Sequence, residues 1–352
     1  MTLEPQPVTI GRSAQIGAGR VFVIAEAGIN HNGDVGRALE MVDAAAAAGA
    51  DCVKFQTFAA DRLVVASGPK ARYQQERTGG GSQRDLLKHL ELSRAAHEKL
   101  IARCAERGIL FLSTPFEEQS ADLLEVLGVP AFKIPSGELT NLPFLRHIAA
   151  KGRPIILSTG MSTIGEVDAA VGAIEGTGNR SIVLLHCVSQ YPAPAKHANL
   201  RAMRSLSEAF GYHVGYSDHS VGISIALAAA ALGAVLVEKH FTLDRAQPGP
   251  DHAASLEPGE LTQLVAGIRD VSAGLGDGRK VPQPGEAEVA ATARKSLVVV
   301  RPVGAGSRIE RTSLAALRPG TGISPAQMEL VVGRCAARDL AADTILAWSD
   351  LA

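Results

Sequence analysis

Cysteine is scarce in this 352-residue chain: Cys52, Cys104, Cys187 and Cys335 are the four, and no CxxC pair is among them. That excludes a disulfide framework and a zinc knuckle, and it is the usage expected of reduced thiols in a cytosol. An excess of either charge is also missing, with 35 Lys and Arg against 36 Asp and Glu. No bulk field exists to hold a nucleic acid or an anionic membrane, so any anion must be gripped locally. Long apolar runs are absent too. The longest, Ile225 to Val237, falls short of the roughly 20 residues a spanning helix needs, and residues 1–20 show no basic region followed by an apolar stretch. Aromatics contribute only 4% of residues while hydrophobics reach 46%, so the core has to be aliphatic. That composition is globular, and it excludes disorder, collagen and coiled coil.

What the chain has is a repeated grammar, in which a short apolar run ends in polar residues or glycine and a longer amphipathic or Ala-rich segment follows. The runs are Val21 to Ala27, Asp51 to Thr57, Ile109 to Thr114, Ala131 to Ile134, Pro154 to Thr159, Ile182 to Cys187, His213 to Ser217 and Val235 to Phe241. Helix-like segments between them include Val35 to Ala48, Arg94 to Arg107, Glu118 to Leu127, Thr163 to Ile174 and Ile223 to Leu232, several followed by a capping glycine such as Gly49, Gly108, Gly128 and Gly233. Strand then helix, eight times over, predicts a closed parallel α/β barrel, a (β/α)8 TIM barrel, over residues 1–280. A Gly- and Pro-rich stretch with neither period, residues 281–293, reads as a linker. Residues 294–352 carry short alternating runs broken by Pro and Gly, as a small β-rich module would.

In such a barrel chemistry gathers where strands end and the following loops begin, and the polar residues here fall at those ends. Residues two apart share a face, so Lys54 with Gln56, Ser217 with His219, and Glu238 with His240 and Thr242 can point inward together. His219 and His240, on neighbouring strands, can converge on one cation as imidazole ligands and leave positions open, as a Lewis-acid site requires. Lys54 and Lys133 are most simply explained by an anionic substrate, with Ser113, Thr114, Ser136 and Ser158 adding hydroxyl donors. Glu26 and Glu138 are the acid/base candidates or, alternatively, charge balance for those lysines. His186 and Cys187 are adjacent on one strand and face opposite ways, so packing is expected rather than a nucleophile and base.

The strings IAEAGINHNG (Ile24 to Gly33), VKFQTF (Val53 to Phe58), FLSTPF (Phe111 to Phe116), KIPSGE (Lys133 to Glu138), ILSTGM (Ile156 to Met161), GYSDHS (Gly215 to Ser220), EKHFTLD (Glu238 to Asp244), PGPDH (Pro248 to His252) and RPGTGISP (Arg318 to Pro325) occur in fixed order. The chain after Val21 resembles the sialic acid synthase family, whose members condense phosphoenolpyruvate with an N-acetylated hexosamine. The C-terminal module is similar to that family's antifreeze-like (SAF) domain, which implies a lid over a substrate site.

Carried over residue by residue, the resemblance implies that His219 and His240 bind a divalent metal, Mn²⁺ first, with Mg²⁺ or Co²⁺ as alternatives. It sets Lys54, Thr114, Lys133, Ser136, Ser158, Ser189 and Ser217 around phosphoenolpyruvate. It also brings Glu26, Gln56, Glu138, Tyr191 and Asp251 to the sugar and the reacting centre. Arg318 corresponds to the arginine that reaches the sugar's N-acetyl group from the other subunit, which implies a domain-swapped homodimer. Val188, Ser189 and Gln190 depart from the Thr and Asn common in the family. The expected sugar is N-acetylmannosamine, giving N-acetylneuraminate; a 2,4-diacetamido-trideoxy hexose leading to legionaminate or pseudaminate comes second, and the choice is expected to reside in Asp61 to Leu92. Two readings from other classes remain: an imine-forming aldolase using Lys54 or Lys133, and a carbohydrate-binding protein without chemistry.

Overall fold

The structure, a computed structural model, describes residues 5–12 and 14–352, the side chain of Tyr73 excepted. It divides into two compact units, residues 1–276 and 277–352.

The first unit opens with a hairpin, β1 (Val8–Ile10) and β2 (Ala14–Ile16). Eight parallel strands follow: β3 (Phe22–Gly28), β4 (Cys52–Thr57), β5 (Leu110–Pro115), β6 (Phe132–Ile134), β7 (Ile155–Ser158), β8 (Ile182–Cys187), β9 (His213–Asp218) and β10 (Leu236–His240). They pair in the order β5-β4-β3-β10-β9-β8-β7-β6, and the two end strands, β5 and β6, lie against each other to close the barrel. Each of the eight runs expected from the sequence is a strand.

Strand alternation explains the interior. Outward-facing residues such as Val23, Val53, Phe111, Ile155, Leu184 and Val237 pack beneath the surrounding helices in the main core. Inward-facing residues change character along each strand. At the N-terminal end Ile24, Cys52, Leu112, Ala131, Ile156, Leu185 and Leu236 form a second apolar cluster, joined by Ile10 and Ile16 of the hairpin. The hairpin thus plugs the N-terminal mouth, a role invisible in two three-residue runs. Gly215 sits in the same layer because a Cβ there would meet the Leu236 carbonyl oxygen at 2.4 Å and Leu185 Cδ2 at 2.8 Å. Two residues further along each strand the inward positions become Glu26, Lys54, Thr114, Lys133, Ser158, Cys187, Ser217 and Glu238.

The helices follow their capping signals. Asp34 and Ser93 cap Val35–Ala47 and Arg94–Arg107, and Thr163 with Glu166 forms a capping box on Ile164–Glu175. Gly108 ends its helix in the left-handed conformation that glycine adopts at no steric cost, φ 69°.

The second unit contains a helix, Glu286–Ala293, inside the stretch expected to be irregular linker. The helix is exposed almost all round, so it has no apolar face from which a period could have been read. Regular strand is confined to the antiparallel pair β11 (Ser296–Val299) and β12 (Leu314–Leu317), with isolated bridges such as Val298 to Ile345 and Val303 to Leu340 completing the module. Its own core includes Leu297, Val299, Ile309, Val331, Leu340 and Leu346.

Candidate active site

The polar inward layer opens into a cavity of about 840 Å³ at the C-terminal end of the barrel strands. It is lined by Glu26, Lys54, Gln56, Thr114, Lys133, Ser136, Ser158, Ser189, Tyr191, Ser217, His219, His240 and Asp251. Of the candidate substrate, acid/base and metal residues, Ser113, Glu138 and Arg318 are not among them. Parity accounts for the gathering, since Lys54 and Gln56, Ser217 and His219, and Glu238 and His240 each lie two apart on one face.

At the floor two buried lysines share a buried carboxylate, Glu238, whose inward aim the sequence predicted without giving it a role. Glu238 Oε1 accepts a hydrogen bond from Ser217 Oγ at 2.9 Å and lies 3.6 Å from Lys133 Nζ, while its Oε2 lies 3.7 Å from Lys54 Nζ. Lys54 also pairs with Glu26 and donates to Thr114 Oγ1 at 2.9 Å, and Lys133 donates to Ser158 Oγ at 2.7 Å. Burial alone would raise the Glu238 pKa, but Lys133 and Lys54 outweigh it and hold the carboxyl at about 2. Burial wins at Glu26, pushing it up to about 7 against the pull of Lys54. Lys54 is held above its ordinary value because Glu238 and Glu26 more than offset burial, whereas burial lowers Lys133. Two cations, one firm anion and one carboxyl near its midpoint leave a surplus of positive charge among buried side chains, and an anionic ligand would neutralise it.

Beside this floor the His219 and His240 rings lie 5.4 Å apart between centroids, with Tyr191 4.2 Å from the first and 5.9 Å from the second. His219 Nδ1 is 2.8 Å from the Val188 carbonyl oxygen; donating there, it leaves the Nε2 lone pair available. The Val188 departure therefore costs nothing at this contact, because the backbone makes it. His240 is pushed well below the ordinary imidazole value by burial, so it is a neutral ligand-type ring, and its Nδ1 is buried without a hydrogen-bond partner among the described residues. This donor set fits two imidazole ligands of an open site. Among the described residues, no group of three or more His, Cys, Asp or Glu is placed to hold a metal ion by itself. Asp251, also on the wall, is raised to about 6 by burial.

Several expectations change. Glu138 does not reach the cavity: β6 ends at Ile134, a 3-10 turn over Ser136–Glu138 breaks the alternation, and the Glu138 carboxylate instead accepts from Asn141 Nδ2 at 2.8 Å. Ser113 bonds Thr57 Oγ1 at 2.6 Å, away from the cavity. Arg318 is exposed in the second unit, just after β12. His186 bonds the Ala198 carbonyl at 2.8 Å while Cys187 lines the cavity 3.7 Å from His219 Nδ1, so the two do face opposite ways.

The segment after β4 folds as three short helices, Ala60–Leu63, Arg72–Thr78 and Gln83–Lys88. It forms one wall of the cavity through Leu63, Val64, Arg72, Gln74, Glu76, Gln83 and Leu87. Lys70 pins it, donating to Thr78 Oγ1 at 2.9 Å and the Gly80 carbonyl at 2.8 Å, and Gln83 Nε2 donates to Gln74 Oε1 at 3.2 Å.

Comparison with known proteins agrees with this geometry. The NeuB family model matches residues 41–280 and the SAF domain model residues 294–352. N,N'-diacetyllegionaminic acid synthase of Legionella pneumophila is 46% identical over 335 residues, covering 94% of each chain. The Campylobacter jejuni protein of the same name is 45% identical over 330 residues, covering 93% of this chain and 99% of its own. The solved structure of the N-acetylneuraminic acid synthetase of Leptospira borgpetersenii superposes with a TM-score of 0.71 at 37% identity, covering 81% of this chain and 95% of its own. Matched by a family model over most of its length and by relatives above 40% identity end to end, the chain belongs to the sialic acid synthase (NeuB) family.

Proposed function

We propose that this protein condenses phosphoenolpyruvate with 2,4-diacetamido-2,4,6-trideoxymannose and water, giving N,N'-diacetyllegionaminic acid and phosphate. The observation that carries the reaction class is the placement of two buried lysines and their hydroxyl partners in one cavity with two converging imidazoles. The sugar rests on the relatives: those at 45 and 46% identity are named for the diacetylated acid, while the neuraminic acid synthetase stands at 37%. The second sugar expectation therefore takes the place of N-acetylmannosamine.

Phosphoenolpyruvate carries a phosphate and a carboxylate, and Lys54 and Lys133 with Thr114, Ser136, Ser158, Ser189 and Ser217 supply the charge-assisted donors. Carbon 3 of the enol attacks the sugar's aldehyde carbon, and the aldehyde oxygen takes a proton from Glu26. Water adds at carbon 2 and returns one proton to Glu26, after which the tetrahedral carbon expels phosphate while its remaining hydroxyl gives its proton to the departing phosphate oxygen and becomes the ketone. A carboxyl with pKa about 7 is suited to both transfers near neutrality. A divalent cation bound by His219 and His240 supplies Lewis-acid polarisation of the aldehyde. Gln56, Tyr191 and Asp251 border the sugar, the 61–92 segment selects its substituents, and Arg318 reaches its N-acetyl group within a domain-swapped dimer.

Phosphate release from phosphoenolpyruvate with Mn²⁺, with and without chelator, tests this against three sugars. Chelator-sensitive release fastest with the trideoxymannose is expected. Preference for N-acetylmannosamine would make the protein a neuraminate synthase, preference for the corresponding altrose a pseudaminate synthase, and no release with any of the three sugars would refute the class and revive the carbohydrate-binding reading. Borohydride trapping of a pyruvate adduct would instead reveal an aldolase.

A further inference from the structure

The strands that carry the two histidines are locked together on their other face by groups that no step of the reaction uses. Asp218 and Lys239 are cross-strand partners in the β9–β10 ladder, each one residue before a histidine. Neither lines the cavity, because alternation turns them the opposite way from Ser217 and Glu238. Their side chains are fully buried, with Lys239 Nζ 2.7 Å from Asp218 Oδ2. Lys239 Nζ also donates to the Ser220 carbonyl, and Asp218 Oδ1 accepts from Ser220 N–H at 2.9 Å. His219 is thus bracketed: the residue before it and the residue after it are both tied to the lysine that precedes His240.

A buried ion pair is a poor device for stability, since desolvation consumes most of the attraction, but it is a good device for fixing register. The strand β9 ends at Asp218, so nothing in the sheet ladder itself fixes the direction of His219 beyond it. We infer that the Asp218–Lys239 pair is a positioning device that sets the separation and aim of the His219 and His240 rings, and so determines the affinity of the cation they hold. The inference rests on the proposal that these two rings ligate a divalent cation.

The test is Mn²⁺ binding by the full-length protein, read by the loss of the free-ion electron paramagnetic resonance signal, for the wild type, for His240→Ala, and for the double variant Asp218→Asn with Lys239→Met, which removes both charges while keeping the volume. A second pair at the opposite end of the barrel serves as control: Arg269 donates to Asp51 at 2.8 Å, and Asp51→Asn with Arg269→Met loosens the barrel where no cation is proposed. The expected result is a dissociation constant 10- to 100-fold weaker in the Asp218/Lys239 double variant, the range that indirect support of a metal ligand commands, with an altered spectrum of the bound ion. The control pair should leave both unchanged. Should the double variant fail to fold, the isosteric Asp218→Asn alone decides by the same comparison. A wild-type constant retained within about twofold in the folded variant overturns the inference while leaving the two-histidine site intact. Wild-type protein that binds no Mn²⁺, or binds it equally well after His240→Ala, overturns the site itself and the inference with it.

Discussion

His31 offers a quantitative check on how this barrel is built. It lies in the loop after β3, fully buried against Phe55, with Nδ1 accepting from Gly33 N–H at 3.0 Å and Nε2 without a partner among the described residues. Protonating Nδ1 would turn that acceptor into a donor facing another donor and bury a charge, so burial, followed by the neighbouring His97 and Arg37, lowers its pKa from 6.5 to about 4. The unfolded chain therefore binds a proton through this window that the folded chain refuses, and stability is lost as pH falls. The full loss corresponds to about 3 kcal/mol below pH 4, of which about 2 kcal/mol accrues between pH 7 and pH 5. Other groups overlap: His252, lowered to about 4 by burial, adds to the slope, whereas Glu26 and Asp251, raised by burial, oppose it because the folded state takes up their protons. The wild-type curve alone is thus a mixture, and the difference between wild type and His31→Gln isolates the term. Urea unfolding should be followed by far-ultraviolet circular dichroism, because the single tryptophan, Trp348, lies in the second unit and does not report on the barrel. His31→Gln should flatten the pH 7 to pH 5 dependence by about 2 kcal/mol. Parallel curves for the two proteins would refute the assignment.

Glu26→Gln should remove the limb of the pH–rate profile near pH 7 and lower kcat about 10²- to 10⁴-fold, the range for a lost general acid or base; a limb that survives belongs to another group. Lys133→Met deletes a charge-assisted donor worth about 2 kcal/mol, so steady-state kinetics should show KM for phosphoenolpyruvate raised about 30-fold with the sugar KM little changed. His219→Ala or His240→Ala should abolish metal-stimulated turnover while the circular dichroism melt stays close to wild type; full activity in a metal-stripped variant would contradict the ligand roles. Truncation after Gly285 should leave a barrel with its own core and melting transition but severely weakened sugar turnover, and undiminished turnover would remove Arg318 from the site.

The barrel was legible because each strand is an apolar run buried on both faces, bounded by the glycines and caps that end and start helices. Its polar layer was legible for the same reason, since parity on Lys54 and Gln56 or Ser217 and His219 needs only an alternation that holds to the strand's end. Where alternation stopped, so did the reading: Glu138 follows a 3-10 turn that begins two residues past β6, and its expected inward aim was lost there. The plug hairpin and the helix Glu286–Ala293 escaped because one is too short and the other too exposed to carry a period.

The role of Glu238 was missed for a different reason. Its spacing from His240 was plain, but a lone acid beside two bases has no signature until the lysines that flank it, 105 and 184 positions away in the chain, are seen to meet there. The consequence is functional. Burial disfavours the charged form of both Lys54 and Lys133, and Glu238 is the largest influence opposing it at each. Glu238, held ionised at about 2, keeps the lysines charged in the empty cavity, while Glu26 at about 7 stays free to change state. Ser217, two residues before His219, orients Glu238, and Glu238 itself stands two residues before His240. The carboxylate that balances the lysines and the paired imidazoles are therefore carried on the same two strands, although Lys54 and Lys133 themselves stand on β4 and β6, and a change that shifts the β9–β10 register displaces Glu238 and the imidazoles at once.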